Sequence, residues 1–219
     1  MPPGAPFDRT IAVIDYGMGN LRSVCQALQR VAPGRKVVVT SDPEMVEGAE
    51  RVVFPGQGAM PDCVREIDSR GLREAVVFAA RNRPFLGICI GQQLLFEHSE
   101  EGDVAGLALL SGDVRRFPAE RMIGGAGQRL KVPHMGWNEV RQARPHALWR
   151  GIADGTRMYF VHSYFVCPTD PRCIVGTTEY GVPFTSAVAQ DNIFAIQCHP
   201  EKSAPAGLVL LENFVSWRP

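Results

Sequence analysis

What this chain lacks narrows its function before any motif is read. It has no long apolar run. The longest, Ala75 to Ala80, is six residues, far short of the roughly 20 that cross a bilayer and too short for a secretory signal core. No membrane association is expected. It has no excess of either charge, with 23 Lys plus Arg against 23 Asp plus Glu. The electrostatic footprint of a general nucleic-acid binder is therefore missing. None of its six cysteines forms a C-x-x-C pair, and no Cys or His pair has zinc-ligand spacing, so no metal is expected. A dinucleotide fingerprint beginning at Gly17 and Gly19 would need its third glycine at position 22, which is Arg22; no cofactor is expected either. Without a signal peptide, the cysteines read as reduced thiols of a cytoplasmic protein.

What is present is ordinary globular composition. The 219 residues are 45% apolar and 21% charged, and a chain of that length buries about 70% of its unfolded surface. Residues 1–10 carry three prolines and no periodicity, and read as a flexible leader. Residues 11–219 show no repeat, linker or charge block and read as a single domain. Ile11–Ile14 is a short apolar strand ending at Asp15. Leu21, Val24, Cys25, Leu28, Val31 and Ala32 then fall at helical spacing, with Asn20 as the expected N-cap. Val37–Val39, Arg51–Phe54 and Phe85–Ile88 give further strands, with Leu72, Val76, Ala79 and Ala80 on one face of a helix between the last two. Unalternated apolar strands separated by helical patterns predict an α/β fold with a mainly parallel sheet flanked by helices. After Ser99 the strand-like segments lie closer together: Gly112–Phe117, Leu130–Val132, Trp137–Arg141, Met158–Val166, Ile174–Thr178, Ala187–Gln190 and Ile193–Gln197. They predict added antiparallel strands, and Leu208–Trp217 a closing helix.

Gly87-Ile88-Cys89-Ile90-Gly91 has the spacing of a nucleophile elbow, with sulfur in place of hydroxyl. The glycines allow a reversal so tight that a Cβ would strike neighbouring backbone. The positive end of the following helix favours a thiolate. A cysteine nucleophile needs a base. His98 and His146 sit among polar residues and read as surface groups; His134 and His162 stand in strands and read as hydrogen-bonded structural rings. His199 follows an apolar strand and precedes Pro200 and Glu201. Residues two apart in an extended segment share a side, so the carboxylate can orient the imidazole. Both motifs would lie at carboxyl ends of strands in one sheet, where open α/β proteins place reactive groups. The pattern points to acyl transfer by a thiol.

These residues carry a family resemblance. The elbow and the His199-Pro200-Glu201 element resemble those of class I, triad-type glutamine amidotransferases, whose sheet is flavodoxin-like. Within that class the chain is similar to the glutaminase subunits of imidazole glycerol phosphate synthase. The narrowing segments are Asp15-Tyr16-Gly17-Met18-Gly19-Asn20-Leu21, Pro55-Gly56-Gln57-Gly58-Ala59-Met60, Pro133-His134-Met135-Gly136-Trp137-Asn138, Tyr159-Phe160-Val161-His162-Ser163-Tyr164 and His199-Pro200-Glu201-Lys202-Ser203. The resemblance implies hydrolysis of L-glutamine to glutamate and ammonia by Cys89, His199 and Glu201. It implies an oxyanion hole built from Ile90 and the Gly56–Gln57 loop, which the nearby glycines would allow to turn. Gly58, Gln93, Glu101, Ser163 and Tyr164 would hold glutamine. Asn20, Trp137, Tyr159 and Lys202 would face a (β/α)8 cyclase subunit in a heterodimer. That partner would use the ammonia to make imidazole glycerol phosphate and AICAR in histidine biosynthesis. Two features depart from or add to the family's pattern: Gln57 stands where an aliphatic residue is commoner, and Cys198 is an extra thiol read as packing. Another class I glutaminase, a stand-alone cysteine hydrolase of the same architecture, and an inactive supporting subunit are the alternatives.

Overall fold

The apolar runs of the first half become the buried parallel core of one sheet. In the computed structural model, which describes residues 7, 9–125 and 127–219, the strands in chain order are β1 (Thr10–Ile14), β2 (Lys36–Thr40), β3 (Arg51–Gly56), β4 (Phe85–Cys89), β5 (His98–Ser99), β6 (Val104–Ala105), β7 (Gly112–Arg116), β8 (His134–Gln142), β9 (Thr156–His162), β10 (Tyr164–Pro168), β11 (Ile174–Tyr180), β12 (Val182–Gln190) and β13 (Ile193–Ile196). The helices are α1 (Leu21–Val31), α2 (Pro43–Gly48), α3 (Met60–Ser69), α4 (Arg73–Asn82), α5 (Ile90–Gln93) and α6 (Ala204–Ser216). Most of the expected leader at 1–10 lies outside the described residues.

The parallel strands run in the order β2-β1-β3-β4-β13. Every residue of β1, β3, β4 and β13 is buried, as the unbroken apolar runs require, while the edge strand β2 is half exposed. Right-handed crossovers put α1 on one face and α2, α3 and α4 on the other; accordingly α1 packs against α6, and α2 against α4. Val24 and Leu28 of α1 are buried in the core, each contributing about 1.5–3 kcal/mol. From β12 onward across the sheet the pairing is chiefly antiparallel, and β11, β8 and β9 extend it as a ribbon. The fold is thus the mainly parallel α/β sheet with added antiparallel strands that the sequence predicts.

Several local expectations fail for identifiable reasons. Asn20 makes no side-chain cap; its ψ of 61° is not the extended conformation from which a side chain reaches the first turn. The helix after Cys89 is a single turn. The carbonyls of Leu94, Leu95 and Phe96 accept instead from the backbone of residues 107–110, so the chain straightens and His98 joins β5. Met158–Val166 is two strands, interrupted at Ser163, and Leu130–Val132 is not a strand. Helices α2 and α3 were not visible as apolar stripes. Among the described residues no helix is long and apolar enough to cross a membrane.

Candidate active site

Three adjacent strand ends bring the site together. Gly56 at the end of β3 is in register with Cys89 at the end of β4, and Ile88 of β4 is in register with Ile196 of β13, three residues before His199. Cys89 occupies a left-handed conformation, φ 57° and ψ −112°, a strained geometry that surrounding packing must enforce. The two flanking glycines are obligatory. A Cβ on Gly91 would sit 1.8 Å from the Phe54 carbonyl oxygen, and one on Gly87 would sit 2.8 Å from that of Gly91. Ile90 opens α5, so its N–H has no acceptor within the helix.

His199 is held from both sides of its backbone. Its N–H donates to the Tyr159 carbonyl and its carbonyl accepts from the Ser203 hydroxyl at 2.6 Å; that hydroxyl in turn accepts from the Tyr159 N–H. Its ring Nδ1 lies 2.9 Å from Oε1 of Glu201. The two are neighbours as expected, but not through an extended segment: a 3-10 turn beginning at Pro200 folds the carboxylate back under the ring. Both side chains are shut off from solvent. Burial works against a charged ring here. Interaction with the Cys89 sulfur, and then the Glu201 hydrogen bond and charge, outweigh it and raise the imidazole from 6.5 to about 10. The arrangement favours a protonated imidazole beside the sulfur.

Cys89, His199 and Ile90 line a cavity of about 240 Å³. Gln57, Gly58, Gln93, Glu101, Ser163 and Tyr164 line it with them. Nine of the residues expected at the site therefore share one pocket. Gly56 is not among the lining residues; it ends β3, where a Cβ would meet the Tyr16 hydroxyl at 2.6 Å and the Gly91 nitrogen at 2.9 Å. Glu201 stands behind His199. Gly58 has φ +111°, a conformation that suits glycine. Glu101 accepts from the Met60 N–H at the start of α3 through one oxygen, which anchors the carboxylate. Trp137, Tyr159 and Lys202 cluster outside the pocket: the Trp137 and Tyr159 rings are 6.2 Å apart, and Nζ of Lys202 lies 5.8 Å from the Tyr159 ring. Asn20 precedes α1, which packs against the turn carrying Lys202.

Two further residues belong to the site beyond those the sequence predicts. His162 lines the pocket, and Nε2 of Gln197 reaches Sγ of Cys89 at 3.6 Å. Gln197 directly follows β13, two residues before His199, and nothing local in the sequence singles it out. His134 and His162 do form the hydrogen-bonded pair expected of structural rings, Nδ1 to Nε2 at 3.0 Å across β8 and β9. Burial lowers them from 6.5 to about 4 and about 3. Cys198 is fully buried with its sulfur 3.3 Å from that of Met158, as packing requires.

Comparison with known proteins agrees with this geometry. The class I glutamine amidotransferase family matches residues 12–217, and the chain belongs to it. Solved structures share the fold: a glutamine amidotransferase at TM-score 0.67 and 17% identity, over 93% of this chain and 98% of that one, and PurLQS from Thermotoga maritima at TM-score 0.67 and 17% identity, over 94% and 97%. At much closer range, the imidazole glycerol phosphate synthase subunit HisH of Dechloromonas aromatica is 68% identical over 96% of this chain and 98% of its own. That of Aromatoleum aromaticum is 65% identical over 95% and 99%. Within the class, this chain is a member of the HisH family of enzyme subunits.

Proposed function

We propose that the chain hydrolyses L-glutamine with Cys89 as nucleophile, His199 as acid and base, and Glu201 as the group that orients it. Sγ of Cys89 adds to the side-chain carboxamide carbon. As the tetrahedral intermediate collapses, the C–N bond breaks and His199 gives its proton to the departing ammonia. Water then adds to the glutamyl thioester while His199 removes its proton, and the C–S bond breaks to release glutamate and restore the sulfur. The observation that carries the reading is the buried His199–Glu201 pair set beside Cys89 at neighbouring strand ends. The oxyanion is received by the Ile90 N–H and a donor from the Gly56–Gln57 loop; one such donor contributes about 3–4 kcal/mol to the barrier.

Gly58, Ser163 and Tyr164 shape the glutamine pocket, and Glu101 receives the α-ammonium. The Gln93 NH2 already serves two acceptors, so only its Oε1, buried without a partner, is left to accept from substrate. The cyclase subunit docks on Asn20, Trp137, Tyr159 and Lys202, forming a heterodimer in the cytoplasm. Exposed apolar side chains at Met135 and Trp137, on one face of β8, support a docking surface there. Direct handover matters because ammonia released to neutral water is mostly protonated and no longer nucleophilic.

The test is glutaminase activity of the chain alone and with the cyclase plus its nucleotide ligand. The proposal predicts feeble hydrolysis alone and a manyfold rise in the loaded complex. Fast hydrolysis indifferent to the partner would instead indicate a stand-alone hydrolase.

A further inference from the structure

Gln197 is wholly buried, and its amide bridges two parts of the site. Its Nε2 is 3.6 Å from Sγ of Cys89, and its Oε1 is 2.9 Å from Nε2 of Gln93. Oxygen and nitrogen of an amide side chain are told apart by their partners, and here the partners decide. Nε2 of Gln93 also meets the backbone carbonyl oxygen of Tyr164 at 3.0 Å. A carbonyl can only accept, so that atom of Gln93 is its NH2 group. The Gln197 atom facing it is therefore oxygen, and the atom facing the sulfur carries the hydrogens. The Tyr164 carbonyl is fixed in turn by a second donor, Nδ1 of His162 at 2.8 Å, whose other nitrogen is occupied by His134. No link in this chain is free to reverse.

We propose that Gln197 is a catalytic residue of this site: its amide N–H donates to the sulfur of Cys89, holding the thiolate before attack and receiving it again when the thioester breaks. Gln93 and His162 are positioning residues that lock the amide the right way round. The bond transfers no proton; His199 remains the only acid and base. Hydrogen bonds to charged groups are stronger than neutral ones, so the donor matters most when the sulfur is negative and least in the thioester. The inference rests on Cys89 being the nucleophile, as proposed above.

Two variants of the full chain test it. Gln197→Leu and Gln197→Met each remove the donor and the acceptor together at similar size, without adding a charge beside the sulfur. The first readout is the rate of Cys89 alkylation by iodoacetamide, followed by mass spectrometry from about pH 5 to about pH 10. The other titratable groups near the sulfur are His199 and Glu201 on the β13 side and His162, Tyr164 and Glu101 in the pocket lining. Tyr16, Cys63 and Cys198 lie behind it. All are unchanged in both variants, so a displaced curve reports the lost donor. The expected result is a curve moved up by about one pH unit in both, with kcat for glutamine in the cyclase complex down about tenfold and KM within about threefold. If Gln197→Met does not fold, Gln197→Leu carries the test. Alkylation curves that superimpose on the parent's in an enzyme that still hydrolyses glutamine overturn the role of Gln197 alone. A parent complex that hydrolyses no glutamine overturns the reaction itself.

Discussion

Nδ1 of His199 and Oε1 of Glu201 stand 2.9 Å apart, closed off from water and folded onto each other by the turn at Pro200. A buried carboxylate so placed fixes the tautomer and stabilises the ring once it is charged. Glu201→Gln keeps an acceptor for the ring but removes the charge. Steady-state kinetics in the cyclase complex should show kcat for glutamine down about 10²–10⁴-fold with KM little changed. An unchanged kcat would show that the carboxylate has no part in the chemistry.

The raised His199 titration also makes a stability prediction. Its imidazole moves from 6.5 to about 10 on folding, so the bound proton favours the folded state. That contribution is complete below about pH 6.5 and is lost as pH rises through about 10. The Cys89 sulfur is the foremost influence raising the ring. Thermal unfolding followed by circular dichroism should therefore show the parent losing stability between neutral pH and pH 10 more steeply than Cys89→Ala. Parallel curves would mean that sulfur and ring do not interact.

The His134–His162 pair predicts the opposite limb. Burial lowers these rings to about 4 and about 3, so the folded state favours their neutral forms. Their contribution is present above about pH 6.5 and is lost as pH falls toward those lowered values. A double variant, His134→Gln with His162→Gln, should lose less stability than the parent between about pH 7 and about pH 5, whatever its absolute stability. The same slope in both would place the acid sensitivity elsewhere.

The backbone of Cys89 supplies a further check. Its positive φ strains any side-chain-bearing residue by about 1–3 kcal/mol, and glycine escapes that strain. Cys89→Gly should therefore unfold at a higher temperature than Cys89→Ala, although glycine would cost stability at an ordinary strand position. A lower midpoint for the glycine variant would contradict the elbow geometry.

The parts of the molecule that were legible from sequence are those where one local pattern admits one solution. Ile11–Ile14 and Phe85–Ile88 are unbroken apolar runs, which only strands buried on both faces use. Gly87 and Gly91 are dictated by backbone closer than a Cβ allows. What could not be read depends on partners distant in sequence. The helix after Cys89 stops after one turn because residues 107–110 capture its next carbonyls. Asn20 fails as a cap because of a single backbone angle. Gln197 looks like any strand-end polar residue until β4 brings the sulfur and α5 brings Gln93 against it.

Amide cleavage by this chain turns on a single thiol. The direct measurement is product formation by the reconstituted synthase carrying Cys89→Ala, supplied in turn with glutamine and with an ammonium salt. Synthesis from glutamine should vanish while synthesis from ammonium persists at the parent rate. Continued synthesis from glutamine would show that some other group opens the amide.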